Sequence, residues 1–148
     1  MHSVNNKRFL NHNLKFGTKS ELKKLPFIQQ LFCEELQRPE DQYSNFDYVS
    51  PNCIVELKTR RGDYIKRGFG TFPFDAVKLN KYKSLKKHNP QLEAYVCWYW
   101  EDMNKFHYWK IHDNDDNDID HYITNWNVDG RQKQVVEVFR EDTQCITI

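Results

Sequence analysis

Two acidic residues and one lysine stand close together in a part of the chain that favours β-structure. Asp47 lies in the run 45–49, and Glu56 and Lys58 lie in the run 53–59, with a turn cluster over residues 50–52 between them. Because strand side chains alternate between the two faces of a sheet, Glu56 and Lys58 point to one face. The short turn brings Asp47 to the same end of the hairpin. Charges inside an apolar run are costly to bury unless they pair or bind a metal ion.

Two converging carboxylates beside an ammonium group would suit a divalent cation and a phosphate. Mg²⁺ and Mn²⁺ prefer oxygen ligands. A neighbouring lysine can orient a water molecule or stabilise the charge that develops on a phosphate. The pattern therefore predicts a metal site formed by Asp47 and Glu56, with Lys58 beside it. The alternative interpretation is an ordinary same-face ion pair on a surface strand.

The spacing of these residues resembles the signature of the PD-(D/E)XK nucleases, the restriction-endonuclease-like superfamily. Asp47, eight intervening residues and then Glu56–Lys58 match its acidic residue on one strand and its acidic-x-lysine motif on the next. Residues 56–60, followed by 80–82, are similar to a run in some phage and viral members. Phe46 stands where the strict signature has proline, and the resemblance covers residues 20–110.

This resemblance implies an α/β fold with a small mixed central sheet flanked by helices, in the order α-β-β-α-β-β. It implies a nuclease that requires Mg²⁺, with Mn²⁺ as a substitute, and that hydrolyses phosphodiester bonds in DNA more than in RNA. Asp47 and Glu56 would bind the metal ion, and Lys58 would position the attacking water. A glutamate of the preceding helix would complete the site or act as a base. That residue is either Glu35, which shares a helix face with apolar residues, or Glu34.

Basic residues are concentrated in the part of the chain that holds the predicted site. Residues 1–90 carry 17 Lys/Arg against 9 Asp/Glu, whereas residues 91–148 carry 5 against 12. The segment 60–70 also interleaves basic and aromatic residues, a composition typical of phosphate contact and base stacking. The predicted nucleic-acid contacts are Arg60, Arg61, Lys66, Arg67, Lys78 and Lys81. Two alternatives stay open: a non-catalytic nucleic-acid-binding module on the same fold, and a protein-interaction domain.

The length and composition indicate a single globular domain over residues 1–148. A chain of 148 residues with 39% hydrophobic residues can form one core without disulfides. The four cysteines are widely spaced, which favours free thiols in a reducing compartment. The longest apolar run, Ala94–Trp100, is too short to cross a bilayer, and the polar N-terminus lacks a secretory signal. We therefore expect an intracellular protein, in the cytoplasm or with the nucleoid or nucleus, that has no membrane partner; a homo-oligomer is left open.

Periodicity and turn signals predict the remaining elements. The Asp/Asn-rich run 113–118 is interpreted as a solvated loop, and the spacing of His107 and His112 does not support a zinc site of the two-histidine helical type. The predicted elements are an N-terminal arm over 1–17, a helix from the capping box at 18–21 to about Arg38, helix Phe74–His88, the hairpin Glu93–Trp100 with Lys105–His112, a short helix Asp118–Trp126, a turn over 127–130, and strands Val135–Phe139 and Cys145–Ile148.

Overall fold

The structure, a computed structural model, describes residues 21–40, 46–61, 67–112 and 119–147. The predicted arm over residues 1–17 lies outside these residues. The described helices and strands are α1 over residues 21–31, β1 Tyr48–Val49, β2 Cys53–Arg60, β3 Thr71–Asp75, α2 Ala76–His88, β4 Glu93–Trp100, β5 Lys105–Lys110, β6 His121–Val128, β7 Arg131–Phe139 and β8 Gln144–Thr147, with a 3₁₀ turn Arg140–Asp142 before β8.

The larger sheet has five strands in the order β1-β2-β4-β5-β8. Strands β2 and β4 are parallel, and the other neighbours are antiparallel. A parallel pair needs a crossover connection, and helix α2 lies within that connection. The predicted α/β class with a mixed sheet is therefore confirmed.

Each face of the larger sheet is covered by one helix. On one face Ile54 of β2 belongs to a core cluster with Leu79 and Tyr82 of α2. On the other face Val55 and Leu57 belong to a cluster with Ile28 of α1. The alternation along β2 that the sequence predicts is thus realised, and it places Glu56 and Lys58 on the side of α2. Among the described helices, none is long and apolar enough to cross a membrane.

A second sheet of three strands has the order β3-β7-β6. The predicted helix over 118–126 is wrong, because β6 occupies residues 121–128 and pairs with β7 along its whole length. The two strands are joined at Asp129 and Gly130, whose φ angles of 52° and 78° are those of the tight turn that favours Asp-Gly. This dipeptide is a strong hairpin signal, and the β-favouring residues before it extend the strand into the region predicted as helix.

Other boundaries also differ from the predictions. Helix α1 ends at residue 31 rather than near Arg38, since the chain turns and Gln37 pairs with Val49 through two backbone hydrogen bonds of 2.9 and 2.8 Å. Residues 71–75 form β3 against β7 rather than a loop and a helix start. Helix α2 begins after Asp75, whose Oδ1 accepts a hydrogen bond from the Val77 N–H. The four cysteines are free, as predicted.

Candidate active site

The first hairpin brings Asp47 and Glu56 together. Tyr48 of β1 is paired with Val55 of β2, so Asp47 comes opposite Glu56 at the point where β1 begins. The Oδ2 atom of Asp47 accepts a hydrogen bond of 2.7 Å from the Leu57 N–H. The side chains of Asp47 and Glu56 are also within hydrogen-bonding reach of each other. The two predicted metal ligands therefore converge.

Glu56 is the most deeply buried charged group of this cluster, with 4% of its surface exposed. The Nζ atom of Lys58, two residues along β2, lies 3.6 Å from its Oε2, and the Nζ atom of Lys78 on α2 lies 3.2 Å from the same oxygen. Burial and the neighbouring Asp47 raise the pKa of Glu56 to about 8, although both lysines act to lower it. Without a further cation, this carboxyl group therefore binds a proton near neutral pH.

A third carboxylate, that of Glu21 on helix α1, approaches Asp47 from the other side. Its Oε2 lies 2.6 Å from a terminal nitrogen of Arg38. Burial and the charge of Asp47 raise the pKa of Glu21 to about 7, against the lowering effect of Arg38, and Asp47 is within hydrogen-bonding reach. The Tyr48 hydroxyl donates a 2.7 Å hydrogen bond to the Glu21 carbonyl and ties the helix to the strand. Arg38 also donates to the Asp47 carbonyl oxygen.

Glu21, and neither Glu35 nor Glu34, is the helix glutamate that the structure brings beside Asp47. The structure places Glu34 and Glu35 beyond the end of α1 at residue 31, where both side chains are exposed. The signal that could have found Glu21 is its spacing from Leu25 and Ile28, which places it on the face that α1 packs against the sheet. The sequence analysis uses this residue only as part of the helix-capping pattern.

The basic residues predicted to contact nucleic acid lie partly at the carboxylate cluster and partly away from it. Lys78 contacts Glu56, whereas Lys81, one turn further along α2, is exposed. Arg60, the last residue of β2, and Arg61 and Arg67, which follow that strand, are exposed. The remaining residue of the predicted set, Lys66, lies outside the described residues. Of the predicted contacts that the structure describes, Lys78 alone belongs to the carboxylate cluster.

The chemistry of this cluster suits a divalent cation, although its geometry is not compact. Glu21, Asp47 and Glu56 offer only oxygen donors, the ligands that Mg²⁺ prefers. Burial, and after it the neighbouring Asp47, raises the pKa values of Glu21 and Glu56. These three carboxylates do not place three oxygens within 4.8 Å of one another. Within the described parts of the chain, that criterion is met by His112, Asp120 and His121, which the sequence analysis does not connect.

A cavity of about 670 Å³ lies away from the carboxylates. It is lined in part by His107, Arg140 and Cys145. His107 is buried, and its Nδ1 accepts a 2.8 Å hydrogen bond from the Trp100 indole N–H. Burial and the nearby Arg140 lower the pKa of His107 to about 4, so its ring is neutral at physiological pH. This cavity contains none of the predicted site residues.

No family model, curated protein or solved structure matches this chain. The resemblance to the PD-(D/E)XK nucleases therefore rests on the motif residues. A function must be inferred from the geometry and electrostatics of the site itself.

Proposed function

We propose that this protein is a Mg²⁺-dependent nuclease with a restriction-endonuclease-like core, in which Asp47 and Glu56 bind the cation and Lys58 positions the attacking water. The observation that carries the proposal is the meeting of two carboxylates from neighbouring strands with Lys58, whose Nζ lies 3.6 Å from the Glu56 Oε2. Groups of this kind, with pKa values strongly shifted by burial and by a neighbouring charge, are common at catalytic sites.

The cation would be held by Asp47 and Glu56, with Glu21 behind Asp47. When bound, it would lower the pKa of a water molecule and offset the charge of the phosphodiester. The cation would also favour the ionised form of Glu56, whose pKa is raised to about 8 by burial and by Asp47. The carboxylates and the cation would therefore stabilise each other, which would offset the cost of burying the carboxylate charges.

The protein groups around the cation divide into two kinds. Lys58 and Lys78 donate from the α2 side of the sheet, where they can contact phosphate oxygens and stabilise the charge that develops on them. Arg38 acts from the other side, where it holds Glu21 and the backbone of Asp47 in place. Glu21 and Arg38 therefore position a metal-binding carboxylate, while the two lysines face the substrate.

Nucleic acid is the substrate that best fits the surrounding charge. Arg60, the last residue of β2, and Arg61 and Arg67, which follow it, are exposed and can neutralise phosphates further along a nucleic-acid strand. We take DNA as the first substrate to test and RNA as the second. We place this activity inside the cell, in keeping with the free cysteines.

The decisive experiment is incubation of the full chain with single- and double-stranded DNA and RNA in Mg²⁺, Mn²⁺ or EDTA. We expect cleavage of at least one substrate with either cation and none with EDTA. Asp47→Asn and Glu56→Gln should abolish cleavage, while Glu34→Gln, which changes an exposed glutamate of the same charge, should not. Cleavage that persists in EDTA, or in both site variants, would contradict the proposal.

A specific observation also favours the non-catalytic alternative. Glu56 already has two lysine partners, at 3.2 and 3.6 Å, and such an ion-pair cluster can exist without a metal ion. In that case the chain would bind nucleic acid with no cleavage in either cation, and Mg²⁺ would not change its stability. An absence of both cleavage and binding would instead favour a protein-interaction domain.

A further inference from the structure

A compact cluster of two imidazoles and one carboxylate lies where β5 is followed by β6. The Nε2 atom of His112 lies 2.8 and 3.0 Å from the two carboxylate oxygens of Asp120. The Nδ1 atom of His121 lies 2.6 Å from Oδ1 of the same carboxylate. The three ligand atoms are within 4.8 Å of one another.

The cluster is held in place by a buried tryptophan. The Trp109 indole N–H donates a 2.9 Å hydrogen bond to Oδ2 of Asp120. The Trp109 ring also packs on both imidazoles, with centroid distances of 5.1 Å to His112 and 5.1 Å to His121. An outer group that orients a ligating carboxylate is a usual feature of metal sites, because it fixes the direction of the ligand.

From this geometry we infer that His112, Asp120 and His121 bind one divalent transition-metal ion of the Zn²⁺ type. Two imidazole nitrogens and one carboxylate oxygen are ligands that such ions accept and that Mg²⁺ does not favour. The side chains are 26%, 22% and 16% exposed, so an ion can enter and a water molecule can complete a tetrahedral shell.

The distances between the imidazole nitrogens and the carboxylate oxygens are those of hydrogen bonds, so protons lie where the ion would bind. Contacts of 2.6–3.0 Å between imidazole and carboxylate are hydrogen bonds, so each imidazole donates a proton toward Asp120. A tetrahedral ion with bonds of about 2.0–2.1 Å separates its ligand atoms by about 3.3–3.4 Å, roughly 0.3–0.8 Å more than these contacts. Binding therefore displaces the proton on each ligating nitrogen, which moves to the other nitrogen of a neutral ring or leaves a doubly protonated ring for solvent, with small shifts of the rings.

The position of the cluster indicates what the ion would do. His112 follows β5 of the five-stranded sheet, and His121 begins β6 of the three-stranded sheet. A bound ion would therefore connect the two sheets across residues 113–118 and stabilise the folded chain by linkage. This inference does not depend on the proposed nuclease function, since the two sites share no residue.

The test is metal binding by the full chain after removal of metals with EDTA. We expect calorimetric titration to show one Zn²⁺ per chain, and the midpoint of thermal unfolding to rise with Zn²⁺. Co²⁺ should give visible absorption bands and quench the fluorescence of Trp109, which packs on both ligands. Mg²⁺ in large excess should neither displace Zn²⁺ nor reproduce the Co²⁺ effects.

Matched variants locate the ion. Loss of an outer-shell partner alone typically weakens metal affinity by about 10–100-fold, so loss of a ligand in His112→Ala or His121→Ala should weaken Zn²⁺ binding at least that much. His88→Ala, which changes an exposed histidine at the end of α2, should bind Zn²⁺ like the unchanged chain. Circular dichroism checks the fold of each variant.

Asp120→Asn provides a second route if the alanine variants do not fold. It keeps an oxygen acceptor for Trp109 and removes the charge, so it should fold and lose Zn²⁺ affinity. The inference is overturned if the unchanged chain binds no Zn²⁺. It is also overturned if folded ligand variants, or Asp120→Asn, bind Zn²⁺ as tightly as His88→Ala, because the ion would then be bound elsewhere.

Discussion

The Asp47 carboxylate accepts a 2.7 Å hydrogen bond from the backbone N–H of Leu57. Strand β1 contains two residues, so its backbone no longer pairs with β2 at this position. The Asp47 side chain there accepts the hydrogen bond that a backbone carbonyl of a longer strand would accept. The same carboxylate lies between Glu21 and Glu56. The position of a candidate metal ligand is therefore coupled directly to the hydrogen-bond ladder of the sheet.

Two substitutions of Asp47 should separate its structural role from its charge. Asp47→Asn retains an oxygen that can accept from Leu57, so its free energy of unfolding should stay close to that of the unchanged protein, while Mg²⁺ binding and cleavage are lost. Asp47→Ala also removes the acceptor and should be about 1–3 kcal/mol less stable. Urea unfolding and Mg²⁺ titration provide the two measurements. Full activity in Asp47→Asn would exclude this residue as a metal ligand.

Glu21 should be the glutamate of helix α1 that matters for activity. Glu21→Gln removes a charge beside Asp47 and the partner of Arg38, so we expect about a 10–100-fold loss of Mg²⁺ affinity or of cleavage rate. Glu34→Gln and Glu35→Gln serve as controls, because both residues are exposed beyond the end of the helix. Equal effects of all three substitutions on cleavage would assign the loss to net charge instead.

Lys58 should affect turnover much more than binding. Lys58→Ala leaves Asp47 and Glu56 in place, so Mg²⁺ binding should survive, but it removes the cation predicted to position water. Loss of one such group typically lowers the rate by about 10²–10³-fold, or roughly 3–4 kcal/mol. Cleavage rate and nucleic-acid affinity are to be measured side by side, with the exposed Lys87→Ala as the charge-matched control. An equal loss of cleavage rate and of nucleic-acid affinity would instead indicate that Lys58 acts in substrate binding.

The stability of the metal-free protein should fall as the pH rises from about 5 to about 8. Burial and Asp47 raise the pKa of Glu56 from 4.5 to about 8, so the folded state binds this proton more tightly than the unfolded chain. The stabilisation is fully present below pH 4.5 and is lost as the pH rises through about 8. Mg²⁺ should therefore stabilise the protein more at pH 8 than at pH 6.

Glu56→Gln tests the source of this pH dependence. The variant has no carboxyl group to titrate at this position, so its free energy of unfolding should vary less over the same range. Glu93→Gln, at the exposed start of β4, is the matched control and should keep the slope of the unchanged protein. Urea unfolding at several pH values measures both slopes. An unaltered slope in Glu56→Gln would mean that another group, such as Glu21, is responsible.

Local patterns were sufficient to predict much of this architecture. The predicted hairpin β4–β5 has the correct bounds for β4 and is two residues too long for β5. It can be predicted because its two strands and their turn follow one another directly in the sequence. The shared face of Glu56 and Lys58 follows from strand geometry alone. Helix α2 begins two residues later than predicted, because Phe74 and Asp75 belong to β3 and pair with the distant strand β7.

What the sequence did not reveal depends on contacts between distant segments. Glu21 joins Asp47 only because α1 packs across the sheet and the chain then turns back to pair Gln37 with Val49. His112 and Asp120 are brought together by two strands of different sheets, which no local spacing encodes. For β6 the turn over 127–130 is predicted, and Asp129 and Gly130 form it, but the residues before it are a strand and not the predicted helix.

The parallel pairing of β2 with β4 sets an order for the assembly of the carboxylate site during folding. Every pair in that ladder joins residues 40 positions apart, as Cys53 with Glu93, whereas Asp47 and Glu56 are brought together by a short local hairpin. Closing the long crossover costs more chain entropy than closing the hairpin. A chain emerging from synthesis can therefore bring its two carboxylates together early. It gains Lys78, and with it the balance of charge around Glu56, only when helix α2 has docked.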